Sequence, residues 1–323
     1  MVSTLKPIPW KLHLGLLAVA LAFPFVFPSS FMVNFGVLAL FYAFIGQSWN
    51  IAGGFAGQLS FGHVVFFGVG AYVSTILQMR FGFSPWLGLP ASAVGGAVVG
   101  GVIGVLAFRA GLKGSYFALI TLAFAEVLRI VANSISITGG GLGMLIPMKA
   151  GAANFQFAER SGFYFLILAL TVVSIALAEW LQRSRFGAQL AAIRENEDAA
   201  KALGINVFAE KVKVMMISGA IGGVGGCFFA QYFLYIDPLI VFGVDKSVEM
   251  LLVSMIGGAG TVYGPLVGSV LLALISDVTR VLAKVQGLSL VLYGGLLVVI
   301  IAYLPNGLID LFRRRSRPPR RNS

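Results

Sequence analysis

The sequence predicts an all-α membrane protein, a polytopic bundle of about eight to ten spanning helices with one short polar helix outside the bilayer. Three observations carry that prediction. Hydrophobic residues occupy 58% of the 323 positions and charged residues only 11%, against roughly a quarter charged in a soluble domain. The apolar residues fall into runs long enough to cross a bilayer, and the mean hydropathy is +0.93. Basic residues gather between these runs and at the C-terminus. The formal charge of +11 therefore orients the chain in a membrane, because Lys and Arg are held in the cytoplasm, and no nucleic-acid partner is expected.

Taken in order, residues 1–11 are a short basic lead, with Lys6 and Lys11 ahead of the apolar run 12–27. Pro24 and Pro28 replace the small residues of a signal-peptide cleavage site and another span follows at once, so this run reads as an uncleaved first helix with its N-terminus inside. Residues 31–50 make a second span. The glycine-rich stretch 53–62 carries Gln58 and Ser60 and, with His63, leads into a third helix ending near Gln78. Residues 84–108 form the fourth, closed by Arg109 and Lys113 in a tight cytoplasmic loop. Its glycines Gly96, Gly100 and Gly104 lie four apart on one face, a spacing that lets helix backbones approach closely in lipid.

The fifth span, 115–137, carries Glu126 and Arg129 three residues apart and so facing the same way. A glycine-rich loop at 138–161 has few basic residues and suits the external side; residues 163–182 then return to the cytoplasm. After a polar segment, 183–213, the seventh span, 214–235, carries Gly219 and Gly223 as a second close-packing pair, overlapped by Gly222 and Gly226. Residues 244–256 make a short eighth span, broken or tilted, and interrupted by Gly257, Gly258, Gly260 and Gly264. The ninth and tenth are 265–282 and 288–304. Ten crossings place the N-terminus, the Arg109 loop, the 183–213 segment and the tail 313–321 on one side, and all four are basic. The expected organisation is one transmembrane domain, 1–312, followed by a disordered basic cytoplasmic tail, 313–323.

The segment 183–213 is the one long polar interruption. Its middle, 189–203, is rich in Ala, Leu, Glu, Arg and Lys, contains no proline, and ends at Gly204, so it predicts a single helix. Leu190, Ile193, Ala200 and Leu203 recur at helical spacing, whereas Arg194, Glu195, Glu197 and Asp198 are polar. Such a helix is too short and too charged to span. From pattern alone it is either a solvated loop with an amphipathic turn or a helix with one apolar face for a partner outside the bilayer. In the second reading, Ala199 and Ala200 permit close approach and the carboxylates meet basic groups.

Catalysis finds no support. No glycine-rich phosphate loop runs into Lys-Ser or Lys-Thr, so the chain lacks a nucleotide site of that kind. His13 and His63 fall in different helices and Cys227 is the only cysteine, which argues against a resident metal or an internal disulfide. Gln58, Ser60 and His63 have two readings: hydrogen-bonded residues beside a glycine break, or polar lining of a translocation pathway. Glu126 with Arg129, and Asp277 with Arg280, read first as intrahelical ion pairs; opened toward a pathway, either could meet the ammonium and carboxylate of an amino acid. Glu249 reads as a carboxylate complementing a helix N-terminus.

The run AIRENEDAAKALGINV at 192–207 resembles the cytoplasmic loop of ABC importer permeases, in the version found in the LivM family of branched-chain amino acid transporters. Three further stretches resemble the same family in the same order: GGFAGQLSFGHVVFFGVGAY at 53–72, GSYFALITLAFAEVLRI at 114–130 and EMLLVSMIGGAGTVYGPLVGSVLL at 249–272. The resemblance implies a permease subunit of the bacterial inner membrane, working with a second related permease, two cytoplasmic ATPases that hydrolyse ATP, and an external binding protein. It implies Leu, Ile or Val as substrate and assigns the coupling role to Arg194, Glu195, Glu197, Asp198, Ala199, Ala200 and Gly204. Related permeases carry urea, short amides or other amino acids, and the residues themselves do not choose among these. A self-sufficient secondary transporter is a rival class, with Glu126 and Asp277 as candidate coupling carboxylates, each beside an arginine.

Overall fold

The computed structural model describes residues 10–149, 151–157, 159–282, 294–295 and 307–309. Its long helices are α1 (Trp10–Val26), α2 (Ser30–Trp49), α3 (Val64–Phe81), α4 (Pro85–Arg109), α5 (Gly114–Ser134) and α6 (Arg160–Arg183). Two short polar helices follow, α7 (Arg185–Glu195) and α8 (Glu197–Ala202). Then come α9 (Val207–Phe233), the single turn α10 (Pro238–Val241), α11 (Val244–Gly257) and α12 (Gly264–Leu282). Among the described residues, six helices are long and apolar enough to cross a membrane, α2 with its extension through α6 and α9, and α1 and α12 supply two shorter apolar helices. The tail at 313–321, the Arg280 side chain and all of the expected tenth span at 288–304 except residues 294–295 lie outside the described residues.

Helix ends follow local chemistry. The Ser29 hydroxyl accepts the Met32 N–H at 3.2 Å to start α2, the Asn206 side chain accepts the Ala209 N–H at 3.1 Å to start α9, and Pro85 occupies the first turn of α4. α2 does not stop at Trp49: it widens into a π-turn, Asn50–Phe55, before the chain turns through 56–63 into α3. α9 begins at Val207, seven residues before the expected span, so Glu210, Lys211 and Lys213 belong to its first two turns.

Two packed groups make the bundle. α4 lies along α9, and α3 packs on both; α2 packs on α6, α11 and α12 and joins the groups through α9. The α4–α9 seam is closed by glycine. A Cβ at Gly96 would lie 2.0 Å from the Gly219 carbonyl oxygen, one at Gly223 2.1 Å from that of Ser92, and one at Gly100 2.4 Å from that of Met215. No side chain fits there. Gly104 differs: a Cβ would meet its nearest neighbour at an ordinary 3.5 Å. α11 and α12 form an antiparallel hairpin around the glycine break, with Gly257 against Gly264 and Gly268 against Val253.

The bundle has two distinct ends. One carries the C-terminal ends of α2, α4, α6 and α11 together with α7 and α8, and Gly307 returns there to lie against Gly258. The other is capped by a two-stranded ribbon, β1 (Met144–Leu145) with β2 (Tyr235–Ile236), in which Met144 pairs with Ile236. α5 stands at the margin, with only light packing against α3, α4 and α10.

Candidate functional site

The polar segment is an elbow and not one helix. Asn196 adopts an extended conformation (φ −159°, ψ 110°) and splits the expected 189–203 helix into α7 and α8. The reason is local. Its side-chain oxygen accepts the N–H groups of Asp198 at 2.9 Å and Ala199 at 3.0 Å, and Glu197 and Asp198 in the new first turn suit the helix dipole. Restarting the helix satisfies orphan donors that uninterrupted propagation would not have created, and the asparagine followed by two acids was the signal for it. Gly204, at φ +82°, ends α8 as expected, with its N–H on the Lys201 carbonyl at 2.9 Å.

The apolar stripe is not offered outward. Leu190, Ile193 and Ala200 are buried against this chain, whereas Leu203 is 78% exposed. Ala199 is exposed, so the two alanines face opposite ways. Glu197 is likewise engaged internally. It accepts from Lys211 Nζ at 2.7 Å and lies 3.1 Å from Lys113 Nζ, and Lys211 also sits 4.3 Å over the Phe108 ring. Burial disfavours the Glu197 carboxylate, but the two ammonium groups outweigh it and hold its pKa below the usual value. The pKa of Lys113 is raised by its own bond to Glu197. Arg194, Glu195, Asp198, Ala199, Lys201 and Leu203 are therefore among the exposed members of the elbow, whereas Glu197 and Ala200 are engaged within this chain.

The Arg194 side chain is 40% exposed, with Nη2 3.7 Å from Glu195, yet it also reaches into the chain. Its Nη1 donates to the Gly54 carbonyl in the π-turn at 2.9 Å. From the same π-turn, Asn50 accepts the Gly260 N–H at 2.7 Å and donates to the Thr261 carbonyl at 2.9 Å. Asn50 is buried, and sequence reasoning passed over it because it closes an apolar run.

Gln58, Ser60 and His63 are all buried within the chain. Gln58 donates to the Ala56 carbonyl at 2.9 Å, and the Ser60 carbonyl accepts from Trp49 Nε1 at 2.8 Å. The Ser218 hydroxyl donates to the Ser48 carbonyl at 2.6 Å, which uses its one proton, so His63 Nε2, 2.7 Å from the same oxygen, must be the donor. The Ser48 hydroxyl returns a bond to the Ser218 carbonyl at 2.7 Å. His63 thus closes a three-residue lock between α2, α3 and α9, and its Nδ1 has no partner among the described residues.

Glu126 and Arg129 form their pair on the outer face of α5, with the Glu126 side chain 48% exposed. Around it lie exposed Leu119, Val127 and Ile130. Asp277 also engages in interactions and is half-buried, whereas Glu249 is buried and paired with Lys246 at 2.8 Å. Among the described residues no group of three or more His, Cys, Asp or Glu side chains could hold a metal ion.

A helical bundle in which six helices are long and apolar enough to cross a membrane, with a polar elbow at one end, defines a polytopic membrane protein. The sequence places it further: residues 31–301 match the family of the branched-chain amino acid transport system permease component, and the chain belongs to that family. It is similar to the high-affinity branched-chain amino acid transport system permease protein LivM of Salmonella typhimurium, at 29% identity over 96% of this chain and 77% of that protein. The probable LivM of Methanocaldococcus jannaschii is 26% identical over 83% of this chain and 90% of its own length. The related permease LivH of Salmonella typhimurium is 22% identical over 86% and 94%. No solved structure matches the chain.

Proposed function

We propose that the chain is one of two permease subunits of an ABC importer for leucine, isoleucine and valine, driven by ATP that partner ATPases hydrolyse and supplied by an external binding protein. The observation that carries this reading is the elbow. It stands outside the spans, is braced by Glu197, Lys211 and Lys113, and exposes Leu203 together with Asp198 and Lys201. A braced helix pair transmits a push as a rigid body, which a loose loop does not. In this reading Leu203 fills an apolar pocket on an ATPase, and the exposed carboxylates of Glu195 and Asp198 meet a basic rim. The elbow end, with Arg109, Lys113, Arg183 and Arg185, is cytoplasmic by the distribution of charge.

The second permease covers α5. An exposed Glu126–Arg129 pair in lipid is costly, so that face belongs against protein and a wetted pathway rather than acyl chains. The test is reconstitution of the permease with its partner subunits in proteoliposomes. Labelled leucine should accumulate only with ATP inside the ATPase compartment and binding protein on the opposite side, and Leu203→Asp should release the ATPase subunits on purification while the permease pair stays intact. Uptake without ATPases, or full ATPase retention by Leu203→Asp, would overturn the reading.

A further inference from the structure

We propose that Arg194 is a positioning residue that fastens the elbow to the π-turn at the end of α2 and, through it, to the break between α11 and α12. The inference rests on the reading of the elbow as the coupling segment and assigns a path by which its displacement enters the membrane domain.

Arg194 stands in the last turn of α7, where a cation suits the helix C-terminus, yet its guanidinium reaches 140 residues back along the chain to Gly54. Glycines make the space for it. A Cβ at Gly57 would lie 2.8 Å from Arg194 Cγ, and one at Gly260 would lie 2.9 Å from Nη1. Gly260 has φ +73°, so the backbone that approaches the guanidinium is one that L side chains rarely adopt. The acceptor belongs to a π-turn, an arrangement rare in helices and concentrated at functional positions. Asn50 completes the knot: one carboxamide joins the π-turn to both Gly260 and Thr261 in the break between α11 and α12.

One guanidinium and one carboxamide therefore join three segments distant in sequence. The knot stiffens further because Leu190 and Ile193 of α7 are buried beside it, and because Ser254 of α11 donates to the Gly46 carbonyl of α2 at 2.7 Å. A displacement of the elbow cannot leave Gly54 behind without breaking a charge-assisted bond. It is handed to the end of α2 and to the α11–α12 hairpin together, beside the direct contacts the elbow makes with α6 and α9. Without the bond, the elbow keeps its outward surface and its pairing with α9 but loses its hold on the π-turn.

The experiment uses the permease complex purified with its partner subunits, as wild type, Arg194→Ala and Arg194→Lys. Amide hydrogen exchange is read in peptides covering 50–58 and 258–262, beside uptake per ATP hydrolysed in proteoliposomes. Arg194→Ala should speed exchange in both peptides by roughly tenfold, the factor that one charge-assisted hydrogen bond is worth, and lower uptake per ATP several-fold with ATPase subunits retained. Arg194→Lys should fall between. Unchanged exchange, or loss of the ATPase subunits with exchange unchanged, overturns the knot. Faster exchange with wild-type uptake per ATP overturns the transmission role. Should Arg194→Ala fail to fold, Asn50→Asp keeps the acceptor for Gly260 but sets an oxygen against the Thr261 carbonyl, and it should give the same two signatures. A wild-type complex without ATP-driven uptake would instead sink the importer reading, while the exchange data would still report whether the knot exists.

Discussion

Alanine at Gly96 should do far more harm than alanine at Gly104, eight residues along the same face of α4. At Gly96 the new methyl would lie 2.0 Å from the Gly219 carbonyl oxygen, which belongs to backbone and cannot swing aside. α4 and α9 must therefore part by roughly 1 Å, a gap that forfeits a quarter to a half of each dispersion contact along their seam. Lipid does not replace that packing in kind. The cost is about 3 kcal/mol, the upper range for overpacking. At Gly104 the methyl would meet Met215 Cβ at 3.5 Å, an ordinary contact, and replacing helical glycine by alanine returns up to about 1 kcal/mol. Cys227, the only cysteine and fully buried, supplies the assay: a thiol-reactive fluorophore reports unfolding in detergent as the temperature rises. Gly96→Ala should lower the midpoint by several degrees and reduce the yield of permease, while Gly104→Ala should hold or raise it. Equal midpoints for the two variants would refute the argument that backbone approach, rather than glycine as such, holds the seam.

Further outcomes follow from the same geometry. Glu197→Gln leaves buried Lys211 without its anion and should destabilise the elbow by about 2 kcal/mol, read as a lower thiol-unmasking midpoint. Because the Glu197 carboxyl has a lowered pKa, its contribution is complete at neutral pH and is lost progressively as pH falls from the ordinary carboxylate range toward the depressed value. It is gone below both values, so the wild-type advantage over Glu197→Gln should be flat from pH 8 to about pH 5 and shrink below it; an advantage that shrank on going alkaline would contradict the pairing. Ser218→Ala removes the acceptor for His63 Nε2–H and should cost about 2 kcal/mol, with the loss seen in midpoint rather than in substrate affinity. Asn196→Ala removes the cap between α7 and α8 at a cost of about 1 kcal/mol, measurable as faster amide exchange at 197–200.

Helices were legible because bilayer thickness and hydropathy set them: α1 through α6 begin and end within a few residues of the apolar runs. The glycines at 96, 100, 219 and 223 were legible by spacing, since four-residue intervals put small residues on one face. What spacing could not resolve was which way a short polar helix faces. The stripe of Leu190, Ile193 and Ala200 is as good a face for this chain's own α9 and π-turn as for a partner, and hydropathy is blind to that choice. The elbow at Asn196 was hidden because helix formers on both sides outweigh one capping residue in any window average. Arg194, Asn50 and Ser218 were out of reach for another reason: their partners lie 140 to 211 residues away, and nothing local encodes such a pairing.

The return of the chain at Gly307 bears on how this permease tolerates shortening. Gly307, at φ +74°, seats its backbone where a Cβ would come within 2.4 Å of the Gly258 nitrogen, and Leu308 packs on the core beside it. The turn at 307–309 is thus a plug for the bend of the α11–α12 hairpin, the same bend that Asn50 grips. A stop codon placed just ahead of that plug would unseal the hairpin at its most glycine-rich and least self-supporting point, whereas an affinity tag appended beyond it leaves the seal in place.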